Sequence, residues 1–274
     1  MILKALLRRH PVSGYFALAY GVSWGGTLII VGATGFNLAA LRPLDTGLIF
    51  MSMLLGPSAA GLAMTAVLEG REGMSRLAAR AVSWRLGLRW YGAAVMTMPL
   101  LLLAVLWPLS VLFDPAFVPR FQWPLFAIGL VAGSFEEIGW TGFATPRLLR
   151  RHRLFFASLS LGLLWALWHV LVDFRQNFNS LGTAWLLEFA VFYLAALTAN
   201  RVLMTWVYAN TQSLLLAALM HASYTGSLFV LYPATSLEQA LVWQTAFAVA
   251  LWVVVAMVAI LTAGFTRRDS RPAM

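Results

Sequence analysis

The chain has 274 residues, 61% of them hydrophobic and only 11% charged, which excludes an ordinary soluble domain because such domains carry about 25% charged residues. The absence of cysteine excludes disulfides, thiolate metal sites and a cysteine nucleophile. The net charge of +9 follows from the excess of Lys and Arg in cytoplasmic loops, so the composition predicts an integral protein of the lipid bilayer with no nucleic-acid partner.

Apolar stretches of about 20 residues, the length that crosses a bilayer, recur along the sequence. They predict an all-α fold: a polytopic membrane bundle of about eight transmembrane helices that forms a single domain over residues 1–274. The predicted spans are 13–34, 46–68, 90–113, 123–145, 154–173, 184–207, 212–232 and 238–264. The basic N-terminus and first apolar run resemble a signal peptide, but the run exceeds the roughly 7–15 residues of a signal core, so we interpret it as an uncleaved helix.

The distribution of positive charge predicts the orientation. With both termini in the cytoplasm, all but three of the 19 Lys and Arg residues lie on the inner side, as the positive-inside rule requires. The outer three are Arg42, Arg120 and Arg175, and the inner group includes Arg267, Arg268 and Arg271 of the C-terminal tail. We expect a multi-pass protein of the plasma membrane, and the compact, Arg-rich chain suggests a bacterial source.

Two features follow in the second span and the loop after it. The stretch GPSAAG, residues 56–61, predicts a kink at Pro57 and a close approach of neighbouring helices at its small residues. The basic segment 69–89 interleaves arginines with apolar residues. Both an amphipathic segment on the anionic inner leaflet and a solvated loop fit this pattern.

The fourth predicted span contains two adjacent glutamates, Glu136 and Glu137. Ionisable residues at membrane depth are costly and usually mark a function. Gly129 and Gly133 have the GxxxG spacing of close helix contacts, and Glu136 lies on the same helix face. Because consecutive helical residues point about 100° apart, the two carboxylates cannot enter one small site. We expect Glu136 to be the working carboxylate and Glu137 to pair with a neighbouring helix.

Two of the four histidines, His169 and His221, lie in the fifth and seventh predicted spans. A single buried His is more often structural than functional, but intramembrane ionisable residues tend to pair, so we predict that both share a site with Glu136. The helical rise places Glu136 and His221 at similar depths and His169 about 8 Å deeper. We therefore expect the fifth helix to extend beyond the membrane at its inner end, and we interpret Glu188 as interfacial.

Several other kinds of membrane chemistry are excluded or disfavoured by motif. No HExxH sequence occurs, and neither glutamate is followed three residues later by the His of a di-iron bundle. The aspartates lie at span boundaries or in the tail, which argues against an aspartyl dyad. The serine-protease-like GPSA around Ser58 has Ala59 where Gly is expected. Inverted repeats, which many transporters of this size show, are not evident.

The polar residues of three spans together resemble the motifs of a known family. The motifs EExxxR, FxxxH and Hxxx(N/D) of the CPBP family match EEIGWT from Glu136, WALWH from Trp165 and HASYT from His221. This family comprises the type II CAAX prenyl endopeptidases and bacterial relatives, including bacteriocin-processing and immunity proteins. The resemblance covers about residues 124–230, where we expect the catalytic core.

Three positions depart from these motifs. Thr141 stands in place of Arg, Trp165 in place of Phe, and Thr225 in place of Asn or Asp. The change at Thr141 is the largest, because it removes the cation expected to pair with Glu137. Two other arginines, Arg201 and Arg147, are the candidates to replace that cation.

The resemblance implies an intramembrane endopeptidase that acts on a hydrophobic or lipidated peptide or on a membrane-protein tail. Glu136 would take a proton from water with help from His169, while His221 and Thr225 would donate to the oxyanion and Glu137 would support them. In a metalloprotease version, Glu136, His169 and His221 would bind zinc with water as the fourth ligand. In a glutamate-protease version no metal takes part, and the sequence leaves both open.

The alternative is a catalytically silent membrane protein of the same fold. Such a protein would act as an immunity factor or as a partner of another membrane protein. Thr141 and Thr225 favour this alternative, because both depart from the family motifs at positions where the side chain would support catalysis. A proton-coupled transporter is a third hypothesis.

Overall fold

The computed structural model describes residues 2–233 and 235–262, and every regular element in this part is helical. The α-helices are α1 (Ile2–Arg9), α2 (Pro11–Gly32), α3 (Pro43–Ala81), α4 (Leu88–Leu112), α5 (Phe126–Gly139), α6 (Thr145–Arg151), α7 (Leu154–Leu181), α8 (Ala184–Phe189), α9 (Thr198–Thr211), α10 (Leu214–Leu231) and α11 (Leu237–Thr262). Short 3-10 turns lie at Leu38–Ala40, Pro115–Phe117 and Trp123–Leu125, and π-helical turns at Trp140–Ala144 and Ala190–Leu197. The predicted all-α fold is confirmed.

Seven helices of the described part are long and apolar enough to cross a membrane, which confirms a polytopic bundle. They are Pro11–Gly32, Pro43–Ala81, Leu88–Leu112, Leu154–Asp173, Ala184–Thr211, Leu214–Leu231 and Leu237–Thr262. The remaining predicted span, 123–145, which is the fourth along the chain, differs from them. It belongs to a helical run over residues 126–151 that is divided by a π turn and carries both glutamates.

Parts of the sequence prediction lie outside the described residues. Positions 263 and 264 of the last predicted span do so, as do Arg267, Arg268 and Arg271. The side chain of Arg175 is also outside the described part. The cytoplasmic placement of the termini therefore stays a prediction.

Small residues bring α3, α5 and α10 into close contact. A Cβ atom on Gly61 would lie 2.8 Å from the Cα of Gly139, and a Cβ on Gly133 would collide with the backbone of Ala222 in α10. The GxxxG pattern therefore marks the α5–α10 interface. The break in the helical dihedral angles of α3 lies at Gly70, with φ 64° and ψ −150°.

The basic segment after the second span is helical as far as Ala81 and docks on the bundle. Its Leu77 is 5% exposed. Arg80 donates through Nη1 to the Tyr208 hydroxyl at 2.6 Å and through Nη2 to the Gly142 carbonyl at 2.9 Å. This part of the segment is therefore not a solvated loop. It packs beneath the π turn that follows the two glutamates.

Candidate functional site

The π turn Trp140–Ala144 lies directly after the glutamates and sets the geometry around them. π-helical turns inside α-helices are rare and frequent at functional sites. Side chains satisfy the carbonyls of this turn: Thr145 Oγ1 donates to the Trp140 carbonyl at 2.8 Å, and Arg147 Nη1 donates to the Phe143 carbonyl at 2.8 Å. With the Arg80 bond to Gly142, these contacts fix the turn that carries Trp140 and Thr141, each four residues after one of the glutamates.

Glu136 accepts side-chain hydrogen bonds at only one of its two carboxylate oxygens within the described residues. Its Oε2 accepts hydrogen bonds from Trp140 Nε1 at 3.1 Å and from Trp165 Nε1 at 2.9 Å. Its side chain is buried, with the residue 5% exposed. No hydrogen bond to the other oxygen, Oε1, occurs within the described part of the chain. Glu136 is therefore a buried, oriented carboxylate with one oxygen free to meet a reacting group.

Glu137 has the opposite environment, because donors surround both of its oxygens. Arg201 makes a bidentate contact, Nη2 to Oε1 at 2.7 Å and Nη1 to Oε2 at 2.9 Å, and both side chains are 0% exposed. The Thr141 hydroxyl donates to Oε2, and His221 Nδ1 lies 2.9 Å from Oε1. Of the two arginines considered, Arg201 pairs with Glu137. The other, Arg147, pairs with Glu69.

The partners of the two histidines define their protonated nitrogens. His221 Nδ1 faces the Glu137 carboxylate, and His169 Nδ1 lies 2.9 Å from the Trp165 carbonyl. Both partners are acceptors, so Nδ1 carries the proton in each ring and Nε2 has the lone pair of the neutral form. His221 is 2% exposed and His169 is half-buried. Each ring is therefore oriented through Nδ1 and presents Nε2 as its reactive atom.

Trp165 joins the members of the cluster. Its indole donates to Glu136, its ring centroid lies 4.8 Å from that of His221 and 6.0 Å from that of His169, and the Arg201 guanidinium carbon lies 4.1 Å from the ring centroid. From the sequence, this position stands out only as Trp in place of the family's Phe. The role of its indole as a hydrogen-bond donor, and the matching role of Trp140 in the π turn after Glu136, were not predicted. The i, i+4 spacing from Glu136 to Trp140 is compatible with this second contact, but spacing alone does not show that the indole donates.

The remaining predicted site residues lie around this cluster. His169 packs between the rings of Trp168 and Tyr193, with centroid distances of 4.8 Å and 4.9 Å. Thr225 is half-buried one helical turn after His221, and within the described residues no hydrogen bond to its hydroxyl is seen. Glu188 lies apart and accepts a hydrogen bond from Gln244 at 3.4 Å. The structure therefore brings the two glutamates and both histidines together around Trp165, with Thr225 at the margin.

The predicted zinc ligands keep suitable free atoms but do not form a metal site as placed. Glu136 Oε1 and the two Nε2 atoms are the donors that zinc would use. Among residues 2–233 and 235–262, however, no three His, Asp or Glu side chains are grouped so that they hold a metal ion. In this arrangement, the predicted ligands do not fit a zinc ion. The presence of zinc therefore stays a prediction.

The fold and the site define a polytopic all-α membrane protein with a buried Glu–Glu–His–Arg cluster where α5, α7, α9 and α10 meet. Residues 118–227, which include the whole cluster, match the family model described as Type II CAAX prenyl endopeptidase Rce1-like. The match covers less than half of the chain but includes all three motifs, and it confirms the resemblance drawn from them.

A curated relative agrees with this assignment. CAAX prenyl protease 2 of Methanococcus maripaludis is 31% identical over 105 residues, which make up 36% of this chain and 37% of the relative. The match thus spans little more than a third of the relative's length. Together the two comparisons show that the chain is similar to CAAX-protease-like proteins over part of its length.

Proposed function

We propose that this protein is an intramembrane endopeptidase that hydrolyses a peptide bond of a hydrophobic or lipidated substrate with water activated at Glu136. The observation that carries the proposal is the asymmetry of this carboxylate. Two indole N–H groups hold Oε2, while Oε1 keeps no hydrogen bond within the described residues. A carboxylate that is oriented but unsaturated at one oxygen is suited to accept a proton from water.

In the proposed reaction, Glu136 takes a proton from water as the oxygen attacks the carbonyl carbon of the substrate. The proton then passes to the leaving nitrogen as the carbon–nitrogen bond breaks. General base catalysis of this kind contributes about 10²–10⁴-fold to the rate. His169 assists because Nε2 of its neutral ring is an acceptor that can hold the second hydrogen of the same water.

The negative charge that develops on the carbonyl oxygen of the substrate needs hydrogen-bond donors to stabilise it. We assign this role to His221 Nε2, which donates when the ring carries both protons, and to the Thr225 hydroxyl. Removing one donor of this kind typically costs about 10²–10³ in rate. The ion pair of Glu137 with Arg201 supports the arrangement, because Glu137 also accepts the Nδ1 proton of His221.

For the substrate we propose a hydrophobic peptide or the tail of a membrane protein. The support is the position of the site inside an apolar bundle and the name of the relative, which describes a protease of prenylated CAAX proteins. In a bacterial plasma membrane such proteins are not expected, so the wider chemical class is the better proposal. The cytoplasmic placement of both termini belongs to this proposal as well.

The test is co-expression with candidate membrane peptides, followed by mass spectrometry of the cleaved ends. Glu136→Ala and His169→Ala serve as controls, and both should abolish cleavage. Thr225 still favours the silent-partner alternative, whereas Thr141 favours it less because Glu137 pairs with Arg201. Absence of turnover across a broad peptide library would favour that alternative.

A further inference from the structure

We infer that Arg201 is a positioning residue that supplies, from α9, the cation that the first motif lacks at position 141. Only the kinetic readout of this inference rests on the proposed function. Arg201 and Thr141 reach the same carboxylate, since Arg201 Nη1 and the Thr141 hydroxyl both donate to Glu137 Oε2. The two donors are themselves 3.3 Å apart. A cation carried by residue 141 would therefore occupy the space now shared by these two side chains.

The described side-chain hydrogen bonds of Arg201 go to Glu137 or to Thr141, which itself donates to Glu137. Its Nη atoms bond to Glu137 and Thr141, while its buried Nε has no hydrogen-bond partner. The planar guanidinium also lies over the Trp165 ring, and this stacking favours arginine over lysine. With both charged side chains at 0% exposure, each is costly to bury without the other.

The pair acts on the reaction through His221. Arg201 keeps both oxygens of Glu137 as acceptors, and Oε1 fixes the Nδ1 proton of His221. The ring is thus held in one tautomer, with Nε2 directed away from Glu137. Without the Arg201 charge, the Glu137 carboxylate is no longer fixed in one position. The orientation of the His221 ring is then lost as well.

The experiment moves the cation between helices. Arg201→Ala removes it, Thr141→Arg with Arg201→Ala relocates it into the vacated space, and Thr141→Gln with Arg201→Ala is the uncharged control. Nitrogen-15 NMR of histidine-labelled protein in detergent reports the tautomer of His221, assigned through His221→Asn. We expect Arg201→Ala to lower kcat about 10–100-fold, the usual effect of losing a partner that orients a functional His, with little change in KM. It should also abolish the Nδ1–H signature.

Relocation should restore both the kcat, to within about tenfold of wild type, and the Nδ1–H signature, whereas the glutamine control restores neither. If Arg201→Ala does not fold, recovery of folded protein in the relocated variant and not in the control supports the inference. Failure of relocation to improve on Arg201→Ala by any readout would overturn it, as would an unchanged His221 tautomer in Arg201→Ala. If the wild type cleaves no substrate, the proposed function fails, yet the NMR and folding readouts still decide the role of Arg201.

Discussion

The same isosteric substitution should affect different properties at the two adjacent glutamates: mainly kcat at Glu136, and the free energy of unfolding at Glu137. In Glu136→Gln, the amide oxygen can replace Oε2 and accept from both indoles, and the amide nitrogen replaces the oxygen that has no hydrogen bond. The free energy of unfolding should change by no more than about 1 kcal/mol, because no buried hydrogen bond is lost. The kcat should fall about 10²–10⁴-fold, because an amide cannot accept the proton.

In Glu137→Gln, the free energy of unfolding should fall strongly. Both oxygens of Glu137 accept from charged or polar donors, so an amide N–H₂ placed at either position faces another donor. The substitution also leaves the Arg201 charge buried at 0% exposure without a counter-ion. Breaking one side of a buried ion pair costs about 3–5 kcal/mol, so this variant should be much less stable than the wild type.

Chemical unfolding in detergent, followed by circular dichroism, measures the free energy of unfolding of both variants. Cleavage of a substrate peptide found by co-expression measures their kcat. The matched design uses one chemical change at two neighbouring positions, so differences in expression or in side-chain volume do not explain a difference in outcome. A Glu137→Gln protein as stable as the wild type, or a Glu136→Gln protein that keeps full activity, would refute the reasoning.

Three further predictions follow from the contacts. Gly133→Ala should destabilise by about 1–3 kcal/mol, because its Cβ meets the α10 backbone, whereas Gly25→Ala, with open space around it, should be neutral or stabilising in the same unfolding measurement. Trp165→Phe keeps an aromatic ring but removes one of two donors to Glu136, so steady-state kinetics should show kcat about tenfold lower, the effect of a charged hydrogen bond of about 1.5 kcal/mol; an unchanged kcat would contradict the role of the indole. Arg80→Met removes a donor to a carbonyl of the π turn and should cost about 1–3 kcal/mol, whereas loss of an exposed arginine of the same segment should cost little.

Much of the fold follows from local properties of the sequence. Apolar length and the placement of arginines predict the spans, since the bilayer imposes both. The GxxxG pattern at Gly129 and Gly133 predicts a close contact, because only a missing side chain permits it, and the structure identifies α10 as the partner. The different surroundings of Glu136 and Glu137 also follow locally, from the 100° between consecutive helical residues.

The missed features depend on contacts between distant residues. The π turn is stabilised by side chains from α3 and α6, so no property of the WTGFA stretch alone specifies it. The choice of Arg201 over Arg147 depends on which helix packs beside Glu137. The indole bonds to Glu136 require knowledge of side-chain rotamers as well as of helix packing. These features are tertiary, and a periodic sequence pattern does not encode them.

We propose that Glu136 activates water for peptide hydrolysis within the membrane. Incubating purified wild-type protein in lipid nanodiscs with a substrate peptide in water enriched in oxygen-18 tests this proposal. We expect one heavy oxygen in the newly formed carboxyl terminus and at least about 100-fold slower product formation by Glu136→Gln. Products without heavy oxygen, or wild-type turnover by Glu136→Gln, would contradict it.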